Sequence, residues 1–291
     1  MDIFLQYLVN GIIKGSLYVL PAIGVSLLYG MLRIVNFAQG EIYMLGAVTA
    51  YIVVVNLKLS YFMGFITAVV VMALFGLVFE RLVVRPLLKQ NMLSIVIATL
   101  SASMILQNGA QRFWSADPKI LPSPFIGPII EIGLVRFSSQ QLLMLTVSLL
   151  LTILATFFVT HSRVGWAIKA VSQDWDAASL MGIKTNRVVA LTFSIGFALA
   201  AVGGVLIGPN VLIDSSMGRA TGQKVIAAVV LGGTGSIPGA FIGGLTLGVV
   251  EALVSGYIST KAKDAVAFVV LIAVMLIKPT GLFGKQYNDK F

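Results

Sequence analysis

Apolar residues in this chain come in long runs separated by short polar islands, and the run lengths set the first expectation. Ile3–Leu32, Tyr61–Leu82, Gln141–Thr160 and Val188–Pro209 are near or above the ~20 residues a helix needs to cross a hydrocarbon core. Shorter runs at Ile42–Val55, Leu93–Leu106 and Ala265–Ile277 read as further spans. A barrel would instead show alternating segments of ~10 residues. Only PIIEIGLVRF, 128–137, alternates in part, and it predicts a short strand or hairpin. The expected fold is all-α: a polytopic membrane helix bundle, residues 1–291 forming a single transmembrane domain with eight or nine spans. The connection 112–139, with Pro118, Pro122, Pro124 and Pro128, reads as a long external loop.

Breaks in the pattern are as informative as the runs. Pro21 predicts a kink in the first span. Arg33–Glu41, RIVNFAQGE, is a polar interruption before the second. Near the C-terminus, Gly232-Gly233-Thr234-Gly235-Ser236-Ile237-Pro238-Gly239 cannot continue a helix. Irregular backbone at membrane depth persists only when buried in protein or lining a wet cavity, so 224–257 is expected to dip and return, as two crossings or a broken re-entrant pair. Gly235, Gly239 and Gly243 form one small-residue ridge, and Gly244 and Gly248 a second. Such spacing suits close helix packing, with a flexible gate as the sharper alternative.

The most polar stretch between spans is Ser162–Arg187, SRVGWAIKAVSQDWDAASLMGIKTNR. Its excess of Lys and Arg over Asp places it on the cytoplasmic side. Ser172 or Asp174 can cap a short helix through Trp175, Ala177, Ala178 and Ser179. Ala177, Leu180 and Met181 share one face, and Gly182 supplies the stop. A rod of ~12 Å is too short to be stable alone, so it is expected to rest on a soluble subunit. With this loop and the basic tail inside, the N-terminus is outside and the C-terminus cytoplasmic.

Composition agrees: the 291 residues are 58% hydrophobic and only 11% charged, with a mean hydropathy of +0.99. The formal charge of +9 is scattered among short loops, which suits anchoring in a bilayer and not nucleic-acid binding. There is no cysteine, which excludes disulfides, thiolate nucleophiles and thiolate metal sites. The single histidine, His161, lies at a span boundary with no clustered partner. Asp2 and the lack of an early Lys or Arg argue against a cleaved signal, so the first span is expected to stay.

Candidate chemistry is sparse. Asn36, Gln39 and Glu41 surround the start of the second span, where capping and a place in a translocation path are both open readings. Gly232, Gly233, Gly235, Ser236 and Pro238 are the other candidate path residues. Lys14 and Glu251 are ionisable groups within spans. Each costs ~2.5–3.5 kcal/mol at a helix centre and needs a partner or water. If they pair, exchanging the two charges should rescue either single change.

Four segments carry a resemblance: GVSLLYGMLRIVNFAQGEIYMLGA (24–47), ASLMGIKTNRVVALTFSIGFALAAVGGVLIG (178–208), AAVVLGGTGSIPGAFIGGLTLGVVEAL (227–253) and KDAVAFVVLIAVMLIKPTGLFG (263–284). The chain resembles the LivH-type permeases of branched-chain amino acid ABC importers over nearly its whole length. It departs at Gln39, where the family motif usually reads NFAHGE. The resemblance implies an importer subunit for branched-chain or other hydrophobic amino acids in a bacterial inner membrane. It further implies a second related permease, an external binding protein, and two cytoplasmic ATPase subunits that carry ATP and magnesium. Residues 174–182 then resemble the coupling helix that docks on an ATPase subunit. No G-x-x-x-x-G-K-[ST] loop is present, so this chain is expected neither to hold ATP nor to act as an enzyme. Alternatives are a urea or short-chain amide importer and, with only Glu41 and Glu251 to bind a coupling ion, a secondary transporter.

Overall fold

The computed structural model describes residues 2–88, 90–114, 118–125, 127, 129–132, 135–278 and 280–284. Lys89, Asp117, Pro128, Pro279 and the basic tail beyond Gly284 lie outside the described residues. The helices are α1 (Asp2–Leu32), α2 (Gln39–Tyr51), α3 (Tyr61–Phe79), α4 (Met92–Trp114), α5 (Ser139–His161), α6 (Arg163–Gln173), α7 (Trp175–Leu180), α8 (Thr185–Ile207), α9 (Met217–Gly232), α10 (Ile237–Tyr257) and α11 (Lys263–Ile277). Strands β1 (Ile129–Ile132) and β2 (Val135–Ser138) pair antiparallel, which is the hairpin that the alternation at 128–137 predicts. Gln6 pins it to α1, donating to the Arg136 carbonyl at 2.9 Å and accepting from the Arg136 amide at 2.8 Å.

Six helices among the described residues are long and apolar enough to cross a membrane: Ile3–Leu32, Tyr61–Leu87, Met92–Trp114, Ser139–His161, Thr185–Ile207 and Ile237–Tyr257. They fall into two groups. In α1 the most apolar stretch is 89% buried inside the molecule, whereas in α4 it is 11% buried. α1, α2 and α8 make the centre, and α3, α4 and α5 turn Phe62, Leu74, Ile105, Ile153 and Phe157 outward. Apolar side chains exposed along whole helices suit hydrocarbon and not water.

Several boundaries differ from the hydrophobic pattern. α1 runs unbroken through Pro21 for 31 residues. α4 extends to Trp114, beyond the apolar run ending at Leu106, and shortens the long connection. α9 starts at Met217, seven residues ahead of the 224–257 region that the pattern marks out. Arg163–Gln173 is an amphipathic helix, α6, whose Ile168 and Val171 are buried while Trp166 faces out. Ser162 caps it, accepting from the Gly165 amide at 2.9 Å. After α3 the helix widens to a π turn over Glu80–Val84. That turn brings Arg85 back onto Glu80, a fully buried acid held through both oxygens at 3.1 and 2.8 Å. A wide turn places i and i+5 on one face, which an α-helix does not.

The irregular backbone also lies elsewhere than expected. The glycine break at 233–236 packs beside Gly30, near the last turn of α1, and so sits at the end of the bundle. Residues 33–38 are the interruption that runs deep. They return along α1, so α2 begins halfway along its neighbours, with Gln39 donating to the Gly196 carbonyl of mid-α8 at 2.8 Å. Ile34, Asn36 and Ala38 are buried there. Protein surrounds this stretch, the setting in which such backbone is tolerated.

Candidate functional site

The start of α2 gathers the first set of candidates. Asn36 shapes the turn: its Oδ1 accepts from the Ala38 amide at 3.1 Å and its carbonyl from the Gln39 amide. Asn36, Gln39 and Glu41 are all buried. Glu41 stands in the first turn of α2, where an acid is favoured by the exposed helix amides. Ser103 of α4 donates to its Oε1 at 3.2 Å. Gly40 lies against Gly218 and Gly222 of α9, close enough that a side chain at any of the three would meet backbone or the Glu41 carboxylate. Structure thus brings α4 and α9 to the residues that the sequence placed at a polar break, although neither partner helix was legible there.

The glycine break forms a separate place. Gly233 and Gly235 take φ of 109° and 82°, a region open to glycine and strained for other residues. Ser236 accepts from the Gly239 amide at 3.1 Å and Pro238 follows in the first turn, so these two residues start α10. The α9 end is closed by the C-terminal segment: Leu282 and Phe283 donate their amides to the carbonyls of Leu231 and Gly232 at 3.0 and 2.9 Å. The two glycine ridges of α10 have different partners. Gly239 and Gly243 face Gly232 and Ala228 of α9, whereas Gly244 and Gly248 face Gly15, Gly11 and Val19 of α1.

Between α1, α9 and α10 lies a buried charge cluster. Glu251 is fully buried and takes Lys14 on Oε2 at 2.7 Å and Lys224 on Oε1 at 2.9 Å. Tyr18 donates to Oε2 at 3.0 Å. The expected pair of Lys14 and Glu251 is therefore present, but as part of a larger group. Tyr18, one turn after Lys14 on the same face, was available to helical spacing. Lys224 was not, because it lies at the edge of an apolar run and reads as a loop cation. Its presence changes the charge-exchange test: Glu251→Lys would set an ammonium against Lys224, so the exchange with Lys14→Glu is no longer expected to rescue.

The polar island forms the third place. Asp174 caps α7, accepting from the Ala177 amide at 2.8 Å, and Ser172 instead donates to the Lys169 carbonyl. Gly182 takes a φ of 84°, and the Gly182 and Ile183 amides return to the carbonyls of Ser179 and Ala178. Ala178 is buried and Trp175 packs on the core, while Ala177 and Ser179 are exposed. Leu180 and Met181 stand 88% and 84% exposed at the tip. The whole turn is thus fixed on one side and presents two large apolar side chains on the other. No group of three or more His, Cys, Asp or Glu suited to a metal occurs among the described residues.

Comparison with known proteins supplies the family. Residues 7–275 match the model of the family described as "Branched-chain amino acid transport system / permease component". The chain is 41% identical to the high-affinity branched-chain amino acid transport system permease protein LivH of Salmonella typhimurium, over 99% of this chain and 97% of that protein. It is 39% identical to BraD of Pseudomonas aeruginosa, of the same description, over 99% and 98%. Similarity reaches an archaeal protein, the probable LivH of Methanocaldococcus jannaschii, at 27% over 96% and 92%. No solved structure matches. A multi-pass helical bundle, matched end to end by relatives of this kind, belongs to the branched-chain amino acid transport permease family.

Proposed function

We infer that this chain is the transmembrane permease subunit of an ATP-driven importer of branched-chain or other hydrophobic amino acids. Substrate crosses by alternating access while separate cytoplasmic subunits bind and hydrolyse ATP with magnesium. A second related permease completes the passage, and an external binding protein delivers the substrate. The chain lies in a bacterial cytoplasmic membrane with its N-terminus outside and C-terminus inside. It makes nine crossings if the short α2, α9 and α11 are each counted.

The observation that carries this reading beyond family membership is the tip of α7. An Asp cap, a single helical turn and a left-handed glycine hold Leu180 and Met181 out of the molecule. Exposed apolar residues held by rigid backbone suit docking in a groove of another protein. α6 links this turn to the transport helices, since it packs on α1 and α8. Movement imposed at the tip then reaches the centre of the bundle. Along the path, Glu41 with its neighbours at the start of α2 is the polar station, and the 233–236 break closes the cytoplasmic end beside Gly30.

The test is uptake of L-leucine by membrane vesicles holding the complete importer and its binding protein, with ion gradients collapsed by ionophores. ATP supplied to the side bearing α7 should drive accumulation. Accumulation that needs a sodium or proton gradient and ignores ATP would refute the importer reading.

A further inference from the structure

Among the described carboxylates buried in the bundle, Glu41 is the one with no cation paired to either oxygen. Glu251 has two lysines and a tyrosine, and Glu80 has both oxygens on Arg85. Glu41 is 1% exposed, its Oε1 takes the Ser103 hydroxyl, and its buried Oε2 has no hydrogen-bond partner. A buried carboxylate oxygen without a donor is rare and needs an explanation. That oxygen lies against Gly218 of α9, where any larger residue would collide with it. Arg219, the next residue, is exposed and within electrostatic reach of the same carboxylate, but makes no ion pair with it. An acid and a guanidinium therefore stand near one another without closing, one on α2 and one on α9, with a hydroxyl from α4 beside the acid.

We propose that Glu41, Ser103 and Arg219 hold the charged head group of a zwitterionic α-amino acid, the acid and hydroxyl taking its ammonium and Arg219 its carboxylate. The proposal rests on the importer reading and names the substrate chemistry of its polar station. An ammonium brings three donors, enough for Oε2 and the Ser103 oxygen together. A guanidinium matches a carboxylate in two parallel bonds. A neutral amide satisfies neither charge, and a lone metal cation leaves Arg219 unused. Asn36 and Gln39 then shape the floor without touching substrate, since their side chains are committed to the turn and to α8.

The absence of cysteine gives a direct test. Ser103→Cys, within the assembled importer, is labelled with 2-aminoethyl methanethiosulfonate and the modification is read as a mass increase of this chain. L-Leucine should slow labelling roughly tenfold, the equivalent of ~1.4 kcal/mol. 4-Methylpentanoate, which lacks the ammonium, should not, and Arg219→Gln should weaken the leucine effect. Adding Glu41→Gln should abolish protection. Equal protection by 4-methylpentanoate, or protection that survives Glu41→Gln, would overturn the proposal. So would unslowed labelling in a complex that accumulates leucine with ATP. A wild-type complex that fails to accumulate leucine with ATP would instead defeat the importer reading.

Discussion

Glu251 shows what a single buried charge requires of its surroundings. With Lys14 and Lys224 on its two oxygens, removing the acid leaves two ammonium groups facing each other, the Lys224 one mostly buried. Breaking a buried pair by deleting one partner typically costs ~3–5 kcal/mol, because the remaining charge is uncompensated. Glu251→Gln is therefore expected to lower the thermal midpoint of the detergent-solubilised protein sharply. Lys14→Met should cost much less, since Lys14 is one-third exposed and Lys224 still neutralises the acid. Equal losses for the two variants would show that the cluster is not organised around Glu251. The sequence revealed the need of Lys14 and Glu251 for partners through their depth in apolar runs. It did not reveal Lys224, because a cation at the edge of a run looks like any loop cation.

At the level of elements, glycines decide which helices can touch. α1 and α10 cross with Gly15 and Gly248 in backbone contact, and a methyl at Gly15 would lie 2.7 Å from the Gly244 carbonyl. Gly109 on α4 has open space around it. Gly15→Ala is thus expected to destabilise by the ~1–3 kcal/mol usual for overpacking. Gly109→Ala should be neutral or stabilise by up to ~1 kcal/mol through helix propensity. Thermal midpoints of the two variants give the comparison, and the same sign of shift in both would contradict it. Gly182→Ala tests backbone conformation in place of space. Its φ of 84° strains any L-residue although nothing crowds it, so a cost of ~1–2 kcal/mol confined to the α7 turn is expected. Protection of the Met181 and Gly182-position amides from hydrogen exchange would fall.

Across the whole molecule, the apolar surface divides between lipid and protein partners. α3, α4 and α5 expose continuous faces, whereas Leu180 and Met181 are isolated at the end of a polar island. Leu180→Asp with Met181→Asp should abolish co-purification of the ATPase subunits with the thermal midpoint of this chain unchanged, since neither side chain packs inside. Retained co-purification would remove α7 from the coupling interface. α6 was missed in sequence because its apolar positions, Ile168 and Val171, sit among cations that read as a solvated loop. Contact with α1 and α8 supplies the stability that eleven residues lack on their own.

Run length, composition and cap residues were enough to determine a helical membrane bundle, the hairpin, a capped turn ending at Gly182 and a helix break within 232–239. Each depends on residues close in sequence, or on a solvent preference that every residue in a run shares. The structure chose Asp174 over Ser172 as the cap and narrowed the break to 233–236. Tertiary structure alone decided that the deep interruption is 33–38 and not the glycine break. It also sorted the two α10 ridges between α9 and α1, and brought Ser103 and Gly218 to Glu41 and Lys224 to Glu251. Those pairings join positions far apart in the chain through the stacking of helices with similar apolar faces. Hydrophobicity drives such helices into the bilayer but does not choose their neighbours; small residues and buried polar groups do.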